Sequence, residues 1–404
     1  MPLRARRSPV PLAAALVLAT ACGDATAPTR EVALSFCPYT VWAGVQNDGQ
    51  AWRTVATGAG TVRVEASERL TVAVGRRAAV DEFALTFYYL TREQARATLV
   101  CPGTGGTGAK QLSGSLAGVG DGFAEVFLGR DTAFGNSLRP DFTLSGLPAG
   151  PLDLVATHAN TAIVRRGADY PDGATVPVLD FAAAEAFALQ AHALTIDSNG
   201  VVGPRWSTDV LTRGGTWAHL SSSSSPCCAD GRIYTLPADR QETGDLYRLT
   251  VSDVRRLPTV SDDWRVAQLF YETPSDQAVA FGPPVNAPTY TPVAAAGQLW
   301  RAEVAAQPEY GSQVEFRASA PQPSSNQTTV TIKASKEYFG GTPATWTFTV
   351  PDLSGVAGFP VFPPQLGVPG GGVWASGAPW PSASTPARAG SVYRGAGTFS
   401  RDAP

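Results

Sequence analysis

The stretch "TTVTIKAS", residues 328–335, shows the plainest periodicity in the sequence. Polar and apolar side chains alternate in it, with one set on each face of an extended chain: Thr329, Thr331 and Lys333 against Val330, Ile332 and Ala334. Successive side chains of a β-strand point to opposite faces of its sheet, so a period of two predicts a strand that buries one face.

Comparable stretches recur along the chain, among them "RLTVAVG", "FALTFYYL", "DLYRLTVSD", "WRVAQLFYE" and "TWTFTVPD". The chain also holds 41 glycines and 33 prolines, which favour many short strands joined by turns over long helices. We therefore expect an all-β fold of several antiparallel β-sandwich domains in tandem. One short helix is predicted at "REQARATLV", because Thr91 and Gln94 have the spacing of a capping box.

A length of 404 residues predicts more than one hydrophobic core. Changes in composition divide the chain into seven parts: a signal peptide (1–21), a tether (22–30), a small β domain (31–102), a glycine-rich linker (103–109), a second β-sandwich (110–204), a larger β-sandwich domain (205–380) and a disordered tail (381–404). Within the first domain, Asn47-Asp48-Gly49 is predicted to turn a β-hairpin.

The N-terminus predicts export from the cytoplasm. Arginines at 4, 6 and 7 precede the apolar run "PVPLAAALVLATA", which is too short to span a bilayer and has the length of a signal-peptide core. The run ends in "LATAC", which resembles the lipobox of bacterial lipoproteins, although Ala19 stands where leucine is usual. The resemblance implies that Cys22 is acylated and that the membrane is a partner of the protein through this lipid anchor. A plain secretory signal is the alternative.

Residues 110–204 resemble the carboxypeptidase-regulatory-like and transthyretin-like β-sandwiches. The resemblance lies in "SGSLAGV", in "AEVFLG" and in "FTLSGLPAGPLDLVA", where a strand meets a Leu-Pro-Ala-Gly turn and a second strand. It implies a non-catalytic supporting module. The order of the segments is also similar to that of uncharacterised lipoproteins of bacteria, a likeness that implies no particular activity.

Four further cysteines are read as disulfide partners, because an exported chain meets an oxidising compartment. Cys37 and Cys101 stand at the two edges of the first domain and are predicted to pair. Cys227 and Cys228 are adjacent, so a strained vicinal disulfide, separate partners or a partner chain all stay open. Adjacent cysteines do not supply the ligand geometry of a structural zinc site.

The run "CPGTGGTGAK" contains Gly103, Gly105 and Gly108 at the spacing of a dinucleotide-binding loop. Such a loop must open a helix, whose N-terminus holds the phosphate. Further glycines at 114, 118 and 120 argue against a helix, and Ala109 stands where a P-loop needs lysine. The run is therefore interpreted as a linker, and no cofactor is expected. The net charge of −3 gives no reason to expect nucleic acid as a partner.

Residues for catalysis or metal binding are sparse. The three histidines, His158, His192 and His219, show no zinc-binding spacing, and Arg139 occupies a glycine position that an esterase elbow around Ser137 would need. Two acidic sets have the oxygen ligands that calcium takes but are interpreted as solvated turns: Asp262, Asp263 and Glu272, and Asp169 with Asp172. No catalytic residue and no metal ligand is predicted.

Seven tryptophans fall within residues 205–380: Trp206, Trp217, Trp264, Trp300, Trp346, Trp374 and Trp380. Core packing is the expectation for those in strand patterns, whereas two exposed coplanar indoles would favour sugar binding. The sequence thus predicts a lipid-anchored bacterial envelope protein with a non-catalytic structural or recognition role. An extracellular hydrolase and a carbohydrate-binding surface protein are the alternatives, and a surface glycan or another envelope protein is the open choice of partner.

Overall fold

In the computed structural model, the described residues are 30–36, 40–48, 50–55, 60–79, 82–98, 110–201, 203–223, 230–256, 261–293, 300–320, 328–360, 370–377 and 388–400. They form strands almost throughout, and most strands pair antiparallel. The predicted all-β fold class is confirmed. Within these ranges, no helix is long and apolar enough to cross a membrane.

The first region contains six strands and one helix: β1 (Arg30–Phe36), β2 (Thr40–Asn47), β3 (Arg53–Val55), β4 (Gly60–Ala66), β5 (Arg69–Ala79), β6 (Glu82–Thr91) and α1 (Arg92–Thr98). The predicted hairpin is confirmed by the antiparallel pairing of β2 with β3. The capping box is confirmed as well, because the Thr91 backbone N donates to Gln94 Oε1 at 3.0 Å and the Gln94 backbone N donates to Thr91 Oγ1 at 3.3 Å.

The second region begins with eight strands that we call the second module: β7 (Lys110–Ala117), β8 (Ala124–Leu128), β9 (Asp131–Gly135), β10 (Asp141–Leu147), β11 (Leu152–His158), β12 (Thr161–Ala168), β13 (Leu179–Asp180) and β14 (Phe187–Ala188). They form two sheets, β10-β7-β13 and β14-β12-β11-β8-β9, which face each other across one apolar core. The alanine-rich stretch at residues 179–193 contains β13 and β14 and leads into the next strand.

The remaining strands are β15 (Gln190–Asp197), β16 (Arg205–Leu211), β17 (Trp217–Ser222), β18 (Asp230–Thr235), β19 (Leu246–Arg256), β20 (Ser261–Tyr271), β21 (Gln277–Ala280), β22 (Thr289–Pro292), β23 (Trp300–Ala305), β24 (Gln313–Ala320), β25 (Thr328–Ser335), β26 (Thr345–Thr349), β27 (Gly370–Ser376) and β28 (Val392–Ser400). Eight of them join four strands of the first region in one sheet, in the order β17-β16-β19-β20-β28-β27-β24-β25-β6-β5-β2-β3.

Strand β25, the stretch "TTVTIKAS", lies in the twelve-stranded sheet where the strands of the first region meet the later strands. It pairs antiparallel with β24 and parallel with β6, in a register that runs from Thr328 opposite Phe83 to Ala334 opposite Tyr89. Its apolar face is buried as predicted, with Val330, Ile332 and Ala334 at 7%, 0% and 3% exposure. The sheet therefore continues across the predicted boundary between the first and third domains.

Three small sheets pack on the twelve-stranded sheet. The pair β1-β4 covers one face near β2 and β5. The sheets β22-β23-β26 and β18-β15-β21 cover the opposite face. Arg265 lies between those two, 7% exposed, and donates to the carbonyls of Asn199 at 2.9 Å and Gly282 at 3.4 Å.

The C-terminal segment differs from the sequence prediction. Residues 381–404 were expected to be disordered, but β28 lies inside the sheet and pairs with β20 on one side and β27 on the other. The expectation is wrong for residues 388–400. Glycines at 395 and 397 weaken the intrinsic strand preference of this segment. Backbone hydrogen bonds to the neighbouring strands β20 and β27 compensate for that weakness. The sequence pattern does not predict these pairings.

Candidate functional site

The open face is our name for the part of one side of the twelve-stranded sheet that carries Trp264, Trp374, Glu315 and Lys333. The pair β1-β4 covers another part of the same side, near β2 and β5. Residues directly opposite in an antiparallel pair share a face. Trp264 lies opposite Gly397, Gly397 lies opposite Trp374, and Trp374 lies opposite Glu315, which in turn lies opposite Lys333. These five positions form a single row across the strands β20, β28, β27, β24 and β25.

The two tryptophans of this row stack on one another. Their ring centroids are 4.3 Å apart and their planes differ by 29°. Trp264 is 42% exposed, whereas Trp374 is half-buried. The prediction of core packing is therefore wrong for Trp264. It is confirmed for Trp300 and Trp346, which are only 6% and 1% exposed.

Glycines of β28 make room for the stack. A Cβ built on Gly395 would lie 2.3 Å from Trp374 Cζ2, and one on Gly397 would lie 2.9 Å from Trp374 Cε3. Contact with several atoms of the ring means that the indole of Trp374 lies over the backbone of β28, with Trp264 stacked against it. An aromatic layer thus rests on a stretch of sheet that has no side chains of its own on this face.

Polar side chains continue the row beyond Trp374. Lys333 Nζ lies 2.9 Å from Glu315 Oε2, and the two side chains are 35% and 28% exposed. Arg317, which faces the same way from β24, is exposed. The row therefore combines a flat aromatic surface with one carboxylate and one cation, and Arg317 adds a second cation beside it.

A second group of interacting side chains lies where the second module meets the edge strand β17. Asp209 accepts two hydrogen bonds at its Oδ2, from Arg248 Nε at 3.0 Å and Arg248 Nη2 at 2.8 Å, and its Oδ1 lies 3.1 Å from His219 Nδ1. The Arg248 guanidinium lies over the ring of Trp217, 4.6 Å from its centroid. Glu125 of β8 is close enough to His219 for their charges to interact.

The pKa values of this cluster are shifted. The hydrogen bond to Asp209 raises the pKa of His219 above its ordinary value, and the charge of Glu125 adds to the effect. Burial raises the pKa of Glu125, which the charge of His219 counteracts in part. His219 is thus held in its charged form up to a higher pH than a free histidine.

The other two histidines have neutral partners. His158 Nδ1 lies 3.2 Å from the carbonyl oxygen of Phe123, and His192 Nε2 lies 3.0 Å from Thr235 Oγ1. The three histidines are not brought together. Ser137 lies in a tight strand-to-strand turn closed by two backbone hydrogen bonds between Asn136 and Arg139, which is not the strand-to-helix turn of an esterase.

The two acidic sets that could supply calcium ligands do not form a metal site in the part of the chain that the structure describes. Asp169 lies 3.1 Å from Lys110 Nζ, and Asp172 accepts a hydrogen bond from the Gln111 backbone N at 2.8 Å. Asp263 lies near the start of β20 and Glu272 follows its end, about 30 Å away at the rise of an extended strand. Among the described residues, no group of three or more potential ligands is suited to a metal ion.

One site in the structure has no signal in the sequence. Arg166 of β12 donates to Asp153 Oδ2 at 3.0 Å and to both oxygens of Asp245, at 3.0 and 2.7 Å. Asp153 belongs to the second module, whereas Asp245 precedes β19 of the large sheet. The Arg166 joint, as we call these three side chains, therefore ties the second module to the large sheet. Its members are far apart in sequence, so only folding brings them together.

Several predicted features fall outside the described residues. These are the five cysteines (Cys22, Cys37, Cys101, Cys227 and Cys228), the glycine run at 103–108, and Trp380. Acylation, the disulfides and the linker remain predictions.

Comparisons with known protein families, with curated proteins and with solved structures found no match.

Proposed function

We propose that this protein is a lipid-anchored, non-catalytic recognition protein of the bacterial cell envelope. The observation that carries the recognition role is the open face, where aromatic and charged side chains are exposed near the middle of a large sheet. A sheet buries its apolar face against another layer, so exposed aromatic residues in the middle of a face are a feature of interaction sites.

The rigid attachment of the second module to the large sheet supports this role. The Arg166 joint uses side chains that are 20%, 4% and 2% exposed, and an ion pair so shielded from water holds its partners in a fixed geometry. The second module is thereby fastened to the large sheet. A rigid arrangement of the module and the sheet suits a protein that presents a binding surface at the end of a tether.

The hydrolase alternative has one observation in its favour, the contact between His219 and Asp209. Asp209 also accepts two hydrogen bonds from Arg248, so its charge is already compensated. The group is accounted for as an ion-pair network at the contact between β8 and β17. We therefore place it in the structure of the protein and not in catalysis.

The anchor is tested by feeding producing cells a clickable fatty acid. The wild type should be labelled and Cys22→Ser should not, whereas Cys37→Ser, the matched control, should be labelled like the wild type. Equal labelling of wild type and Cys22→Ser, or no labelling of either, would contradict the anchor.

The recognition role is tested by sedimentation of purified Cys22→Ser protein with envelope fragments of the producing bacterium. Trp264→Asp should abolish co-sedimentation, because it places a charge in the aromatic layer. Leu138→Asp is the matched control, since Leu138 is 89% exposed but belongs to the second module. Recognition through the open face is refuted if both variants bind like the parent protein.

A further inference from the structure

The stacked tryptophans present one aromatic surface outward. The indole of Trp374 lies over Gly395 and Gly397, and Trp264 stacks on it with 42% of its surface exposed. Trp264 is the more exposed of the two rings and offers the accessible aromatic surface. An indole held flat in this way has lost its freedom before any ligand arrives, which lowers the entropic cost of binding.

Hydrogen-bonding groups follow at a fixed distance. Neighbouring strands of a sheet are about 4.8 Å apart, so the backbones that carry Trp374 and Lys333 are separated by about 10 Å, and the row from Trp264 to Lys333 spans about 19 Å. Glu315 offers acceptor oxygens and Lys333 offers donors, and both are partly exposed. The row is longer than one sugar ring.

From this arrangement we infer that the row Trp264–Trp374–Glu315–Lys333 binds a neutral polysaccharide. The apolar C–H face of a pyranose ring packs on the outer face of Trp264, and hydroxyl groups of the following rings bond to Glu315 and Lys333. This inference rests on the proposed recognition role and names its ligand class.

Other ligand classes fit the row less well. A hydrophobic peptide or a lipid surface needs a larger apolar area than one outward indole face, and the surrounding side chains are charged. A nucleic acid also stacks on tryptophan, but its phosphates would meet Glu315, and the chain carries a net charge of −3. A charged polysaccharide would meet charges of both signs, because Glu315 lies among the cations Lys333 and Arg317. Neutral sugar rings match the aromatic surface and use these side chains only as hydrogen-bonding groups.

The test is affinity electrophoresis of the full-length Cys22→Ser protein in gels that contain hydroxyethylcellulose, xylan, dextran or soluble peptidoglycan strands. We expect at least one of the neutral polysaccharides to retard the parent protein, and Trp264→Ala to weaken that binding at least about tenfold. Trp264→Phe should retain part of the affinity, because it keeps a smaller aromatic face. Lys333→Ala should weaken binding by a smaller factor, and short oligosaccharides should compete better than the monosaccharide.

Two controls separate folding from binding. Circular dichroism should show that Trp264→Ala is folded, and Trp217→Phe should bind like the parent, because Trp217 lies at the distant edge strand under Arg248. The inference is overturned if no neutral polysaccharide retards the parent protein, if only peptidoglycan strands do, or if Trp264→Ala binds as well as the parent. If sugars fail while envelope binding still depends on Trp264, the ligand class is wrong and the proposed recognition role stands.

Discussion

Replacing Arg166 with methionine should weaken the joint between the second module and the large sheet. Methionine keeps an unbranched apolar stem but removes the cation that two carboxylates share. Asp153 and Asp245 are 4% and 2% exposed at their side chains, so water has little access to either one. The substitution leaves two like charges buried next to each other.

The expected loss of stability depends on the hydrogen bonds that each carboxylate keeps in the variant. Removing one partner of a buried ion pair costs about 3–5 kcal/mol, because an uncompensated charge stays buried. Here Asp153 keeps hydrogen bonds from the backbone N of Gly167 and Gly214, at 2.7 and 3.1 Å. Asp245 keeps bonds from the backbone N of Arg213 and Glu242, at 2.8 and 3.1 Å. We therefore expect the lower end of that range, about 3 kcal/mol.

Arg165 provides a matched control in the next position of the same strand. Its side chain is as exposed as that of Arg166, at 20%, but its carboxylate partner Glu185 is 36% exposed and belongs to the same module. Water can replace a partner that is so accessible. Arg165→Met also loses hydrogen bonds to the backbone carbonyls of Pro177 and Val178, at 2.8 and 2.9 Å. It leaves no charge buried without a partner, so it should cost less than Arg166→Met, about 1 kcal/mol.

Acid unfolding provides a second measure of the same joint. Burial raises the pKa of Asp153, but hydrogen bonds from Gly167, Thr212, Arg166 and Gly214 outweigh burial and hold the pKa below its ordinary value. A lowered pKa contributes stability above the unfolded value of about 3.9, and this contribution is lost as the pH falls through the folded value. Because Arg166→Met removes one of the lowering contacts, the variant should unfold at a higher pH than the wild type.

Urea unfolding followed by circular dichroism measures the free energies, and hydrogen exchange of residues 238–246 locates the effect. Arg166→Met should show a lower midpoint and faster exchange there, whereas Arg165→Met should lie closer to the wild type. Equal midpoints for the two variants would refute the reasoning, as would faster exchange confined to other parts of the chain.

Three further predictions concern a histidine, a glycine and a cysteine pair. The pKa of His219 is raised, so its contribution to the free energy of unfolding is complete below about pH 6.5 and is lost as the pH rises through the folded value. His219→Gln should abolish this loss of stability at higher pH, whereas His192→Gln should not. Gly395→Ala should destabilise the protein by about 1–3 kcal/mol and change its tryptophan fluorescence, whereas Gly355→Ala, with nothing within 4 Å of an added Cβ, should do neither. Peptide mapping without reductant should join Cys37 to Cys101, a bridge worth about 4 kcal/mol for a closed loop of about 65 residues, and free thiols at both positions would contradict it.

Local sequence patterns predicted secondary structure correctly where the stabilising contacts join residues close in the chain. The capping box of α1 depends on residues three positions apart, and the strand "TTVTIKAS" depends on alternation within eight residues, so both could be predicted. Strand β28 was missed because its glycines carry no apolar period. Its place in the sheet depends on backbone hydrogen bonds to β27 and to β20, and β20 lies far away in the chain.

The open face shows the same limit at the candidate site. Trp264 and Trp346 both lie in strand-like stretches, yet one is 42% exposed and the other 1%. Alternation identifies two faces of a strand but does not say which face another sheet will cover. That choice is made when the small sheets pack on the large one.

By itself, the sequence determined the all-β class, the position of most strands and the short helix, because these depend on residue type and short-range spacing. Only the tertiary structure decided that strands of the first region share one sheet with strands that follow the second module. It also decided that Arg166 meets Asp153 and Asp245, and that two tryptophans 110 positions apart stack over Gly397. The physical reason is that strand pairing uses backbone hydrogen bonds, which every residue except proline can make with any other strand. The sequence therefore specifies strands far better than it specifies their neighbours.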